Sequence, residues 1–162
     1  MALKILILCT GNSCRSQMAE GFLQQLDHRL CVRSAGTNPA PKINAHAVEV
    51  MYEDCVDLSG QKPKPVTQFL NEEWDYVITV CEKADQSCPH FKGKVKHRLH
   101  LGFDDPAAAQ GTEDEVLNEF RRVRDEICVA FKKFYERELK PQLQQAAAEP
   151  CSTATTAALA AV

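Results

Sequence analysis

The sequence predicts an α/β domain, a three-layer sandwich in which helices cover a four-stranded parallel sheet. Three observations lead there. Apolar runs of strand length alternate with segments of helical periodicity. The first run, Leu3–Leu8, is interrupted only by Lys4, which suits a strand covered on both faces. A polar cluster follows each of the four runs, at the strand ends where open α/β sheets bind ligands.

The elements follow in order. After the first strand and a loop of small polar residues, Gln17–Leu26 reads as a helix with Ala19, Phe22, Leu23 and Leu26 on one face. Leu30–Arg33 is the second strand, ending in Ser34-Ala-Gly-Thr37, and Asn44–Glu53 the second helix. Asp75–Val80 is the third strand, with Trp74 packing at its start, and Val95–Leu101 a weaker fourth. Val116, Phe120, Val123, Ile127, Phe131 and Phe134 recur at helical spacing, predicting a long amphipathic helix from Glu113 until Pro141 stops it. One domain is therefore expected over 1–141, with an Ala/Thr-rich tail over 142–162 too poor in packing residues to order.

Composition narrows the function. With 162 residues and a formal net charge of −3, the chain has no overall field that attracts nucleic acid or an anionic membrane. The N-terminal apolar run is too short for a signal peptide, and no stretch is long enough to span a bilayer. A cytoplasmic monomer is expected. Eight cysteines in a reducing compartment then point to redox chemistry or burial. Zinc is the weakest explanation, because no Cys-x-x-Cys pair occurs, and no metal is expected.

The chemistry concentrates after the first strand. Cys9-Thr10-Gly11-Asn12-Ser13-Cys14-Arg15-Ser16 places Cys and Arg on either side of five residues, between a strand and a helix. A loop closing onto a helix N-terminus aims backbone N–H groups inward and cradles a tetrahedral oxyanion. Gly11 and Asn12 tolerate the backbone angles of the curl, Arg15 grips two anion oxygens, and Ser16 is placed to donate to the Cys9 sulfur. That positive setting favours a thiolate on Cys9, the nucleophile. Cys81 ends the third strand, Cys88 follows seven positions later, and Asp104-Asp105-Pro106 follows the fourth strand.

These residues carry a resemblance. Cys9–Arg15 with Ser16-Gln-Met-Ala-Glu20, then Ser34–Thr37, Val80-Cys81, Gly102–Ala107 and Phe120–Ile127, is similar to the low-molecular-weight tyrosine phosphatase superfamily. It most resembles the thioredoxin-coupled arsenate reductases of that superfamily, across roughly residues 3–136. The resemblance implies a flavodoxin-like fold and Asp105, the residue before proline, as general acid rather than Asp104. It implies no bound cofactor and a three-thiol relay on an arsenate or phosphate-like oxyanion. Cys9 attacks arsenate, Cys81 attacks the Cys9 sulfur and releases arsenite, Cys88 attacks Cys81, and thioredoxin or a similar donor reduces the final disulfide. Residues 81 and 88 on a helix would stand about 10.5 Å apart along its axis, whereas a disulfide tolerates about 7 Å, so the segment is expected to unwind.

Two alternatives stay open: a tyrosine phosphatase acting through a Cys9 phosphoenzyme, and a non-catalytic anion or redox sensor. Phosphatases that this chain resembles carry aromatic residues after Asp-Pro, where this chain has Ala107-Ala-Ala-Gln-Gly111. Resembling reductases hold potassium with an Asn, a Glu, a Ser and an Asp. Asn12, Glu20 and Ser34 match, but Gln61-Lys-Pro-Lys-Pro65 offers a lysine in place of the acid. Cys14 is expected to pack under the loop, Cys31, Cys55 and Cys128 in the core, and Cys151 in the tail. His97, Arg98 and His100 read as a solvated face.

Overall fold

The run Ile5–Leu8 is fully buried and forms the middle of a four-stranded parallel sheet in this computed structural model, which describes residues 2–148. Strands β1 (Lys4–Cys9), β2 (Cys31–Gly36), β3 (Trp74–Thr79) and β4 (Val95–His100) lie in the order β2-β1-β3-β4. Cys9 pairs with Gly36, Leu8 with Thr79, and Thr79 with His100, so the strands end level with one another. That register brings every polar cluster to one edge. β2 runs further than expected, because Ser34 and Ala35 complete the ladder beside Ile7 and Leu8.

Helices α1 (Arg15–Leu26), α2 (Ala45–Glu53), α3 (Glu82–Gln86) and α4 (Glu113–Phe134) connect and cover the strands. α2 starts at Asn44, whose side chain accepts from His46 N at 2.9 Å. α4 starts at a capping box in which Thr112 and Glu115 satisfy each other's backbone N–H groups. Its stripe Phe120, Val123, Ile127, Phe131 and Phe134 is buried as the periodicity predicts, each large side chain contributing about 1.5–3 kcal/mol. Arg124 is buried beside it and pairs with Glu53 at 2.8 Å, tying α4 to α2.

Pro141 does not stop this helix. One π-helical turn, Tyr135–Leu139, widens the spiral, with Lys140 N–H reaching back to the Tyr135 carbonyl, and α5 (Lys140–Ala148) continues through the proline. The wide turn relieves the clash between the ring and the preceding turn's carbonyl. Buried Leu139 and Leu143 and hydrogen bonds from Tyr135 to Asp27 (2.9 Å) and from Gln142 to Tyr76 (2.7 Å) hold the extension down. The helix therefore runs to Ala148 instead of stopping at Pro141, while residues 149–162, with most of the expected tail and Cys151, lie outside the described residues. Cys31 and Cys128 are half-buried and Cys55 is exposed at a left-handed φ of 60°, so none of the three is a core residue. Among the described residues no helix is long and apolar enough to cross a membrane.

Candidate active site

Between β1 and α1 the chain curls through Thr10–Cys14, turning at Asn12 with φ of 49°, a left-handed angle that asparagine tolerates. Buried Asn12 is the keystone of the curl. Its Nδ2 donates to Ser16 (2.8 Å) and Ser34 (2.9 Å), and its Oδ1 accepts from the Lys64 N–H at 2.9 Å. Ser16 is thus engaged with Asn12 rather than with Cys9. β2 presses on the curl at Gly36, where a Cβ would stand 2.5 Å from the Thr10 oxygen. Only glycine allows that approach.

The loop's carbonyls are all occupied. Those of Cys9, Thr10, Gly11 and Ser13 accept from the N–H groups of Thr37, Asn38, Ala40 and Asn44 at 2.9–3.1 Å. The Asn12 carbonyl accepts from Gln17, and that of Cys14 from Met18. With the carbonyls turned outward, the N–H groups turn in. None between Gly11 and Cys14 has a partner among the described residues. They face a cavity of about 770 Å³ lined by Cys9–Arg15, Cys81, Lys83, His100, Phe103, Asp104 and Asp105. This is an anion cradle.

Arg15 stands at its rim. Nη1 donates to the Phe103 carbonyl at 3.0 Å, and Nη2 lies 3.6 Å from Asp105. Its buried Nε has no partner among the described residues, leaving a donor for an oxyanion. Asp105 also accepts from Ala107 N at 3.1 Å, capping the turn that Pro106 begins. Asp104 points its carboxylate to Arg122 at 3.1 Å instead. The expected acid is therefore paired with the cradle's arginine, whereas its neighbour's carboxylate is paired with Arg122.

Cys9 and Cys81 both line the cradle, and each thiol acts on the other's ionisation. Cys81 also caps α3, accepting from Ala84 N at 3.4 Å, with the Thr10 hydroxyl at 3.4 Å. Those donors, the Cys9 thiol first, bring its pKa down to about 5. Cys9 is pushed up, first by the proton it gives to Cys81 and then by burial, against the pull of Arg15 and the Thr10 N–H. The thiolate expected on Cys9 is thus opposed by burial and by the neighbouring Cys81, and favoured by Arg15 and the Thr10 N–H. Buried Cys14 does pack under the loop, and burial raises it to about 11. Cys88 lies beyond α3, its sulfur 3.6 Å from Arg98 Nη1. All seven described cysteines are free thiols.

The profile of the low molecular weight phosphotyrosine protein phosphatases matches residues 4–145. The chain belongs to this family. Within it, an arsenate reductase of Halalkalibacterium halodurans and one of Bacillus subtilis are each 47% identical to this chain over 133 residues, 82% of this chain and 94% of the relative. A solved arsenate reductase in a phosphate-binding state superposes with a TM-score of 0.70 at 28% identity, covering 83% of this chain and 97% of that one. A tyrosine phosphatase of Erwinia amylovora superposes with a TM-score of 0.68 at 19% identity, over 84% of this chain and 93% of that one, and shares the fold.

The roles of two residues in this low molecular weight phosphatase chain escaped the sequence. Arg98 and His100 are not merely solvated: Arg98 covers Cys88, and His100 accepts or donates to Thr79 at 2.8 Å on the cavity wall. The lysine that the sequence offers in place of an acid is Lys64, whose ammonium lies 3.7 Å from the buried Glu20 carboxylate. Glu20 also accepts from Ser34 and from Gln24 (3.2 Å). The residues do not fit a potassium ion, because the lysine already faces the carboxylate and brings no second acid. Lys64→Met should leave Glu20 buried without a cation and cost about 1–2 kcal/mol in a urea melt, discounted for the partly exposed lysine. A melt unchanged within about 0.3 kcal/mol would show the pair to be idle.

Proposed function

We propose that this chain reduces arsenate to arsenite, with Cys9 and Cys81 supplying two electrons to arsenic and Cys88 resolving the oxidised pair. One observation carries the reading: a second sulfur, that of Cys81, lines the anion cradle beside the nucleophile, and its surroundings favour the thiolate. Phosphoester hydrolysis has no use for a thiolate in that place, whereas reduction requires one. The arsenate reductases among its relatives support it.

The steps follow from the groups present. A dianionic arsenate seats on the Gly11–Arg15 N–H groups and the Arg15 fork, and takes the Cys9 proton onto one of its oxygens. The Cys9 thiolate attacks arsenic; Asp105 protonates the departing oxygen, which leaves as water. Cys81 then attacks the Cys9 sulfur. The S–As electron pair passes to arsenic, arsenite leaves, and a Cys9–Cys81 disulfide remains. Cys88 exchanges into it, and the Cys81–Cys88 disulfide passes to a dithiol reductant, for which thioredoxin is the proposed donor.

The phosphatase reading lacks a clamp for a phenyl ring. Phe103 is the one phenyl side chain among the cavity's described lining residues, and it is stacked on Phe131 with centroids 6.2 Å apart. The fully reduced protein with arsenate, thioredoxin, thioredoxin reductase and NADPH is expected to oxidise NADPH in an arsenate-dependent manner. Absence of turnover beside Cys9-dependent aryl phosphate hydrolysis would make it a phosphatase. Tight oxyanion binding with neither activity would make it a sensor.

A further inference from the structure

Cys88 differs from the other two sulfurs of the relay in having no contact with the cradle. It lies at the outer edge of the sheet, against β4, which pairs only with β3. Burial raises its pKa, and Asp85 from α3 raises it further, so the thiol form is favoured where a nucleophile is wanted. The opposing group comes from β4. Arg98 Nη1 stands 3.6 Å from the Cys88 sulfur, and the same guanidinium lies over the Phe91 ring, 5.3 Å from its centroid. Phe91 is buried, so the exposed guanidinium rests on a packed ring beside the sulfur. Arg98 and Asp85 are the charged groups that act on Cys88.

We infer that Arg98 is the activating residue of the resolving thiol: its guanidinium stabilises the Cys88 thiolate and positions it for attack on Cys81. This rests on the reductase reading. The step balances within the protein. Cys88 loses its proton to solvent, its thiolate forms a bond to the Cys81 sulfur, and the Cys9–Cys81 bond breaks. Cys9 takes that bond's electron pair and leaves as a thiolate beside Arg15. Arg98 has no part in the earlier steps, because it touches neither Cys9, Arg15 nor the loop.

The test compares Arg98→Met, which keeps the stem over Phe91 and removes the charge, with Arg98→Lys, which keeps the charge. Iodoacetamide labelling of the reduced full-length protein across pH, read at each cysteine by mass spectrometry, gives the ionisation midpoint of Cys88. Arg98→Met should raise it by about one pH unit, the effect of losing an opposite charge at a partly exposed site, and leave the Cys81 midpoint in place. Arg98→Lys should restore most of the shift. After a single arsenate turnover, Arg98→Met should slow conversion of the Cys9–Cys81 disulfide to Cys81–Cys88 by about tenfold at neutral pH while arsenite release keeps its rate. A Cys88 midpoint unmoved in Arg98→Met overturns the inference, as does labelling that speeds equally at every pH, which would mark Arg98 as a mere cover. The labelling decides this even if arsenate proves not to be a substrate, an outcome that would sink the reductase reading alone.

Discussion

Cys88→Ser should release one arsenite per protein molecule and stop, and Cys81→Ser should release none. The difference follows from where the two sulfurs sit. Cys81 lines the cradle with Cys9 and its pKa is brought down to about 5, so it can strike the Cys9–arsenic adduct without rearrangement. Cys88 lies at the far end of α3 under Arg98 and enters only when the first disulfide exists. Steady-state turnover of either variant should fall by about three orders of magnitude, because members of one relay fail as a unit. Mass mapping of the stalled Cys88→Ser protein should find Cys9 joined to Cys81. Sustained turnover by Cys88→Ser would show that thioredoxin reaches the first disulfide directly. Joining Cys81 to Cys88 also requires α3 to open, since Cys81 must give up the Ala84 N–H that it caps. A helix of five residues resists little by itself. Its tether is the Thr79 hydroxyl, which donates to Asp85 at 2.9 Å. Oxidised and reduced proteins should therefore differ over residues 81–89, and identical structures there would defeat the relay.

Arg15→Lys is the second variant with a large expected effect. Lysine keeps the charge but not the fork: it lacks the donors that reach the Phe103 carbonyl and the Asp105 carboxylate, and it has no counterpart of the unpartnered Nε. Side chains of Arg15 and Asp105 are 12% and 48% exposed, so the arginine works from a largely dry position and the acid from a wet one. Loss of a preorganised donor of this kind costs about 10²–10³ in kcat. Phosphate inhibition of the same variant should weaken in parallel, because the ground-state anion uses the same donors. A loss below tenfold would mean that the loop's N–H groups suffice without the guanidinium.

Much of this site was legible because its parts are local. An unbroken apolar strand, a small-residue curl and a helix start within residues 3–26 state the cradle almost by themselves. What escaped was long-range. The loop is held by Lys64 through its backbone N–H and by the segment Thr37–Asn44, neither of which has a signature of its own. Arg98 reaches Cys88 only because β4 pairs with β3, and alternation along an edge strand reads the same whether a side chain meets solvent or a sulfur. The lowered pKa of Cys81 depends on groups that the fold gathers around it, Thr10 and the Ala84 N–H among them. Pro141 misled because buried Leu139 and Leu143 carry the helix past it through a single widened turn, a tertiary override of a sound local rule.

The occupied carbonyls of the curl have one more consequence. Because Thr37, Asn38, Ala40 and Asn44 hold the N–H groups inward before any anion arrives, the seat recognises a shape, tetrahedral and oxygen-rich, rather than an element. Phosphate and arsenate then compete on nearly equal terms for docking. Discrimination falls to the step after docking: pentavalent arsenic accepts an electron pair from a sulfur bond, and phosphorus in the same seat does not. Such a protein tells the two apart by redox appetite, and it works in the presence of phosphate as a slowed enzyme, not a deceived one.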